Sequence, residues 1–130
     1  MKILQPDGWR QPKGYSNGIS ARGRMIFTAG VVGWDENESF PDYTLHGQFA
    51  QALRNTLAIL ACDGAGPEHI VRMTVYVTDR HEYIASRDEV GAAWRELIVA
   101  NYPAMALVEV SGLVEGAAKV EIETTAMVPD

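Results

Sequence analysis

The chain has 130 residues, 47% of them hydrophobic and 22% charged, which predicts a single globular domain spanning residues 1–130. Its formal net charge of −6 disfavours a nucleic-acid partner, because proteins that bind phosphate polymers usually carry a basic face. A lone cysteine excludes a disulfide within the chain, and no apolar run approaches the roughly 20 residues that a membrane span requires.

The N-terminal segment breaks early, since Pro6 and Gly8 interrupt it before the apolar core of a signal peptide could form. With no membrane span in the chain, this predicts a cytoplasmic protein that has no membrane partner.

The first structured region is predicted to be a β-hairpin. Residues 16–21 and 25–30 flank a connection that contains Gly23. The second arm is almost entirely apolar or small, which is typical of a strand buried on both faces. Residues 33–42 are polar and include Pro41, which predicts a mobile loop.

A helix is predicted to follow, because apolar residues recur at helical spacing from Leu45 to Leu60. Thr44 is the expected N-cap, with Gln48 behind it in a capping box, and the helix should end near Gly64. Cys62 falls inside this region with no histidine at useful spacing, which predicts a buried, unreactive thiol.

The second half of the chain alternates between strands and a helix. Residues 70–77 carry inward-facing apolar side chains at every second position from Val71, which predicts a strand with one face in water. Residues 82–100 predict a second helix, with Trp94 in the core.

Two strands are predicted at the C-terminus. Pro103 stops the second helix before an apolar run, and residues 119–123 place Val120 and Ile122 on one face and Glu121 on the other. The resulting order, β-β-α-β-α-β-β, predicts an α+β fold with the helices on one face of a mixed sheet.

Five segments of the chain together resemble the Rid (reactive intermediate deaminase, YjgF-type) family. They are residues 14–18, 27–30, 48–60, 65–77 and the final pair of strands, in which Pro103-Ala104 and Val120-Glu121-Ile122-Glu123 stand out. The resemblance covers almost the whole chain at the same spacing. It implies a chorismate-mutase-like subunit and a homotrimer with three ligand clefts between subunits.

The resemblance also implies a cofactor-free deaminase for small imines or enamines, such as 2-aminoacrylate, which are hydrolysed to 2-keto acids and ammonia. This chemistry needs no metal, because an imine carbon is already electrophilic and the protein need only position it and supply water. The three histidines are too far apart in the chain to suggest a metal site.

Site residues are carried over from the family position by position. Glu121 matches the glutamate that places or activates water. Six further positions match the substrate cleft: Tyr15, Ala29, Gly30, Asp88, Met105 and Leu107.

Three of these positions depart from the family pattern. Met105 stands where an arginine grips the substrate carboxylate, Ala29 replaces a serine, and Asp88 replaces an asparagine. Methionine cannot hold a carboxylate, and losing one hydrogen bond to a charged group weakens binding about 10–100-fold. We therefore expect an atypical substrate that is less anionic or carries its carboxylate elsewhere, for example an intermediate of aromatic or heterocyclic catabolism.

Several alternatives remain open. Arg87 adjoins the cleft position Asp88 and is a candidate replacement cation, although a helical arginine is commonly just solvated. Glu121 could equally be a solvated carboxylate, and Tyr15 a half-buried aromatic residue. Trp34 is a candidate for part of a lid over the cleft. For the whole protein, the alternative is a non-catalytic trimer that binds a small metabolite or regulates a partner.

Overall fold

The computed structural model describes residues 1–130 in full. The chain forms seven strands, three helices and one 3₁₀ turn (Pro67–His69). In order they are β1 Lys2–Leu4, β2 Gly18–Ser20, β3 Arg24–Phe27, β4 Val31–Val32, α1 Leu45–Ala61, β5 Ile70–Val77, α2 Arg80–Ala85, α3 Arg87–Leu97, β6 Ala104–Glu109 and β7 Val120–Val128.

The main sheet is mixed and has five strands. Its order is β3-β7-β5-β6, and β4 also pairs with β7. Strands β5 and β6 run parallel, as expected of strands joined through a helical crossover, whereas every pairing with β7 is antiparallel. This arrangement confirms the predicted α+β class and the mixed sheet.

The core lies between one face of this sheet and the helices. Helix α1 buries Leu45, Phe49 and Leu53 on one side, at the spacing that its sequence predicts. The sheet presents alternate residues of its two central strands to the helices, and these are Met73, Val75, Val77, Val120 and Ile122. The other sheet face, called here the open face, has no helix over it.

The predicted hairpin is wrong, because its two arms do not pair with each other. Strand β2 pairs with β1, and β3 pairs with β7. Gly23, at φ 142°, does not close a turn; a side chain there would strike the backbone of Val128. The second arm is also not buried on both faces, since Met25 is 52% and Phe27 65% exposed on the open face.

The start of α1 confirms Thr44 as the N-cap but not the predicted capping box. The Thr44 hydroxyl accepts from Gly47 N, so the third helical position is a glycine. A side chain at that position would strike the carboxylate of Asp42, which accepts hydrogen bonds from Thr44 N (2.8 Å) and Thr44 Oγ1 (2.7 Å). These hydrogen bonds lower the pKa of Asp42.

Gln48 is buried and serves a different purpose from the one predicted. Its Nε2 donates to the carbonyls of Asp42 (3.2 Å) and Ala117 (3.0 Å). Its Oε1 accepts from Lys119 N at 2.7 Å. The side chain thus joins the start of α1 to the connection that precedes β7.

Three further details differ from the predictions. The register of β5 against β7 shifts between Ile70 and Arg72, so Ile70 rather than Val71 enters the core. The second helix is divided at Ser86, whose hydroxyl donates to the Glu82 carbonyl at 2.8 Å, although Trp94 is buried as expected. Cys62 lies just past the end of α1 and is exposed, so the prediction of a buried thiol is wrong.

Residues 33–42 form a loop, as predicted, and its base is held in place. The Asn55 side chain donates to the carbonyls of Val32 (3.1 Å) and Trp34 (2.7 Å). The Trp34 ring contacts Phe40 of the same loop, with the ring centroids 6.0 Å apart. None of the helices has the length and apolar character to cross a bilayer.

Candidate functional site

A pocket of about 320 Å³ lies between α3 and β6, with one side formed by the segment around Gly14. Its apolar surface comes from α1, α3 and β6 and consists of Phe49, Val90, Trp94, Met105 and Leu107. Pockets for small molecules usually combine such a surface with a few polar groups. This pocket is therefore the main candidate site within one chain.

The strand register explains why Met105 and Leu107 face this pocket. Strand β6 pairs in parallel with β5, so that Met105 lies beside the buried Met73 and Leu107 beside the buried Val75. Neighbouring residues across a sheet point to the same face. The side chains of Met105 and Leu107 therefore point toward the helices, not toward the open face.

Three cations, Lys13, Arg87 and Arg95, also line the pocket, and no acidic residue does. None of them forms a salt bridge; the ion pairs of this protein are Arg24–Asp63 and Lys119–Glu82. Their positive charges are therefore free to attract an anion.

Tyr83 and Arg87 share one end of this pocket. Burial raises the pKa of Tyr83, and the positive charge of Arg87 opposes that change. The Nε of Arg87 donates to the Ile84 carbonyl at a long 3.4 Å, and its terminal nitrogens have no partner in the protein.

The aromatic wall of the pocket is rigidly supported. Trp94 stacks on Tyr102 with ring centroids 6.4 Å apart and an interplanar angle of 15°. Trp94 Nε1 donates to the Asn101 carbonyl at 3.0 Å, and the Asn101 side chain donates to the carbonyls of Pro67 and Ile70. These contacts fix the segment that leads into β6.

Tyr15 lies next to this pocket rather than in it. Ser16 N donates to the Pro103 carbonyl at 3.0 Å, which attaches the N-terminal segment to the start of β6. Tyr15 lines a neighbouring groove of about 380 Å³, which shares Gly14 and Tyr102 with the main pocket.

Glu121 lies on the open face, away from Met105. Its neighbours Val120 and Ile122 are buried on the helix side, as predicted. The Glu121 carboxylate packs against Gly30, where an added methyl group would strike it, and it has no hydrogen-bond partner in the chain. Ala29 and Gly30 are both exposed beside it.

Glu123 differs from Glu121 in having a partner. The Tyr76 hydroxyl donates to Glu123 Oε1 at 2.7 Å. This hydrogen bond, with the negative charges of Glu123 and Glu121, raises the pKa of Tyr76. Glu121 is thus the carboxylate that is available to a ligand, whereas Glu123 is engaged within the sheet.

The structure divides the predicted site residues between two faces of the molecule. Arg87, Met105 and Leu107 meet in the main pocket, with Tyr15 beside them. Glu121, Gly30 and Ala29 lie on the open face. Asp88 is exposed in the first turn of α3 and does not line the pocket. The roles of all these residues remain predictions.

Lys13 and Arg95 line the pocket, although neither was predicted as a site residue. Arg87, Gly91 and Arg95 recur at intervals of four, and this spacing places them on one helix face. That signal was available in the sequence, whereas nothing local indicated that Lys13 would reach the same pocket. No three His, Cys, Asp or Glu side chains lie close enough together to hold a metal ion.

Comparisons with known proteins agree on one family. The family model described as Endoribonuclease L-PSP matches residues 10–128. The RutC family protein slr0709 of Synechocystis is 33% identical over 132 residues, covering 99% of this chain and 98% of the relative. The Rid-family protein YyfB of Yersinia pestis has a crystal structure that matches with a TM-score of 0.82 at 27% identity, covering 98% of each chain.

A further relative carries a functional name. "Putative reactive intermediate deaminase TdcF" of Escherichia coli is 29% identical over 113 residues, covering 87% of this chain and 85% of the relative. A crystal structure of E. coli TdcF with bound serine matches with a TM-score of 0.72 at 27% identity, covering 98% of this chain and 99% of TdcF.

Proposed function

Because this chain belongs to the Rid/YjgF-type family of the Endoribonuclease L-PSP model, we propose that it is a cofactor-free deaminase that hydrolyses a small reactive imine or enamine. The observation that carries the proposal is the free carboxylate of Glu121, which packs on Gly30 and has no partner in the chain. The name of TdcF as a reactive intermediate deaminase supports the same chemistry.

Glu121 would act as the general base in this reaction. It takes a proton from water as the water oxygen attacks the imine carbon, and the proton then passes to the nitrogen. The tetrahedral intermediate collapses to a carbonyl and releases ammonia. An enamine first takes a proton on carbon to become the imine, so the overall stoichiometry is one water consumed per ammonia released.

We propose that the complete cleft forms between copies of the chain in a homotrimer. Glu121 and Gly30 lie on the open face, whereas Met105 and Leu107 point toward the helices on the other side of the sheet. One chain therefore cannot present both sets to one small ligand, but a neighbouring copy can. The exposed side chains of Met25 and Phe27 on the open face supply apolar surface for such an assembly.

The substrate should differ from simple 2-imino acids, because Met105 offers no charge to an α-carboxylate. TdcF has been crystallised with serine, a ligand whose carboxylate is attached directly to the α-carbon. RNA is a poor candidate despite the name of the family model, since the net charge of −6 repels a phosphate polymer.

The test is a comparison of Glu121→Gln with Glu123→Gln. An amine oxidase generates imines that lack an α-carboxylate, an amino-acid oxidase generates 2-imino acids of varied side chain, and the imine that escapes hydrolysis is trapped with semicarbazide. Loss of a general base should lower the rate about 10²–10⁴-fold in Glu121→Gln. Glu123→Gln, on the same strand and face, should stay near wild type.

Equal rates in the two variants would contradict the role of Glu121. Ligand binding without acceleration of any imine would favour the alternative, a trimer that binds a small metabolite without catalysis. The observation that favours this alternative is the uncharged Met105, because methionine cannot hold a substrate carboxylate.

A further inference from the structure

We infer that Arg87, Arg95 and Lys13 form an anion subsite for a carboxylate separated from the reacting carbon by a flat, apolar span. This inference rests on the proposed function for the identity of the reacting group, but the subsite itself lies within one chain. It extends the proposal from the reaction to the class of substrate.

The charge distribution is the first support. Of the eleven Lys and Arg residues, only Arg24 and Lys119 form salt bridges, so an unpaired cation is common on this surface. The pocket differs from the rest of the surface because three unpaired cations line it together and no carboxylate does. Clustered like charges repel one another, and a bound anion would relieve that repulsion.

The geometry of α3 is the second support. Arg95 lies eight positions after Arg87, a distance of about 12 Å along the helix axis. Gly91 lies midway, and Arg95 Nη1 is 3.1 Å from the point where a Cβ on Gly91 would be. The Arg95 guanidinium therefore folds back across Gly91 toward Arg87, and the missing side chain leaves the space that it occupies.

The apolar surface of the pocket indicates the shape and size of the uncharged part of the ligand. Met105 and Leu107 form the side of the pocket contributed by β6, and the stacked rings of Trp94 and Tyr102 form an aromatic wall. Planar groups pack well against such rings and against a thioether. A volume of about 320 Å³ is at the small end for ligand pockets, which limits the span to a short unsaturated chain or a single ring.

A carboxylate bound by the cations of α3 lies on the side of the pocket opposite Met105 of β6. When the imine carbon reacts beside Met105, the apolar span of the ligand crosses the pocket between the imine carbon and the carboxylate. The substrate class is therefore an imine or enamine whose carboxylate is at the far end of a conjugated or aromatic segment.

Inert probes test the subsite without any reaction. trans-Cinnamate carries a carboxylate on a flat apolar body, and cinnamamide has the same shape without the charge. Calorimetry on the full chain should show cinnamate binding about 10–100-fold more tightly than cinnamamide, the effect of a charged hydrogen bond. Equal affinities of the two probes would overturn the inference before any variant is made.

Two double variants then test which cations bind the carboxylate of cinnamate. Arg87→Gln/Arg95→Gln should abolish the preference for cinnamate. Arg54→Gln/Arg80→Gln removes the same charge from exposed positions outside the pocket and should keep the preference. If the first double variant binds cinnamate as tightly as wild type does, the subsite is wrong.

The two proposals fail separately. A wild-type protein that hydrolyses imines but binds cinnamate and cinnamamide equally would reject the subsite and leave the deaminase. A wild-type protein that prefers cinnamate but accelerates no imine would reject the deaminase and leave the subsite.

Discussion

At the scale of single residues, the neighbouring Glu121 explains why position 30 is a glycine. The carboxylate of Glu121 occupies the space that any side chain on Gly30 would need. Since the φ of Gly30 is not in the left-handed region, it is this close approach, not backbone conformation, that requires glycine. The absence of a side chain at Gly30 thus leaves the space in which the Glu121 carboxylate lies.

The variant Gly30→Ala should therefore displace Glu121 and lower the rate of imine hydrolysis at least about tenfold, because general-base catalysis depends on position. The matched control is Gly116→Ala, where the added methyl group meets nothing within 4 Å. Steady-state kinetics of both variants checks the expectation. A Gly30→Ala enzyme with wild-type turnover would show that the carboxylate is not held for catalysis.

Met105 allows the opposite experiment, a gain of function. Met105→Arg should raise kcat/KM for 2-iminopropionate about 10–100-fold, because a charged hydrogen bond to the α-carboxylate becomes available. Met105→Leu keeps the volume without the charge and should give no gain. The measurement is the decrease in the rate of semicarbazone formation from an alanine-derived imine. No gain in the arginine variant would mean that position 105 does not contact the α-carboxylate.

At the scale of elements, two helical glycines have opposite reasons for being glycine. Gly47, in the first turn of α1, makes room for the Asp42 carboxylate, which is short and held by two hydrogen bonds from Thr44. Gly91, in α3, faces only the flexible end of Arg95. A methyl group is therefore costly at one position and tolerable at the other.

Gly91→Ala should raise the free energy of unfolding by up to about 1 kcal/mol, the helix-propensity gain of alanine over glycine. In Gly47→Ala the same gain should be outweighed, so its free energy of unfolding should fall below that of the wild type. Displacing Asp42 disrupts a helix N-terminus, which typically costs about 1 kcal/mol. Urea denaturation of the two variants measures the difference. Equal stabilities would show that Asp42 can move aside without loss.

The period of the apolar residues predicted where the helices and strands lie better than it predicted which strands pair with one another. Helix α1, strand β5 and the strand around Glu121 were found because each buries one face at a regular period. The pairing of β3 with β7 joins residues about a hundred positions apart, and no local pattern encodes it. The bulge after Ile70 and the break at Ser86 likewise depend on neighbours in space.

The same limit applies to the candidate site. The resemblance located Met105, Leu107 and Glu121, but only the strand register shows that they face opposite sides of the sheet. Lys13 reaches the pocket because Ser16 is attached to the start of β6, a contact between distant parts of the chain. Charge clusters assembled in this way cannot be found from spacing along the chain.

At the scale of the whole molecule, the open face is where we propose that copies of the chain assemble. Three chains of 14.3 kDa should sediment as one particle of about 43 kDa, because this face leaves Phe27 65% exposed and a trimer would bury it. Phe27→Lys should shift the particle toward the monomer and abolish imine hydrolysis, since the proposed cleft needs residues from two copies. Analytical ultracentrifugation at micromolar concentration measures the mass.

The control for assembly is Ile59→Lys. Ile59 is also a large exposed hydrophobic residue, but it lies on α1, on the opposite side of the molecule. This variant should keep both the trimeric mass and the activity. A wild-type protein that remains monomeric would contradict the shared cleft.

The buried amide of Gln48 has a mechanical consequence. One side chain satisfies the carbonyls of Asp42 and Ala117 and the N–H of Lys119, so it joins the chain entering α1 to the chain entering β7. Displacing this amide takes hydrogen-bond partners from both segments at once. Two segments some seventy residues apart therefore loosen as one cooperative unit.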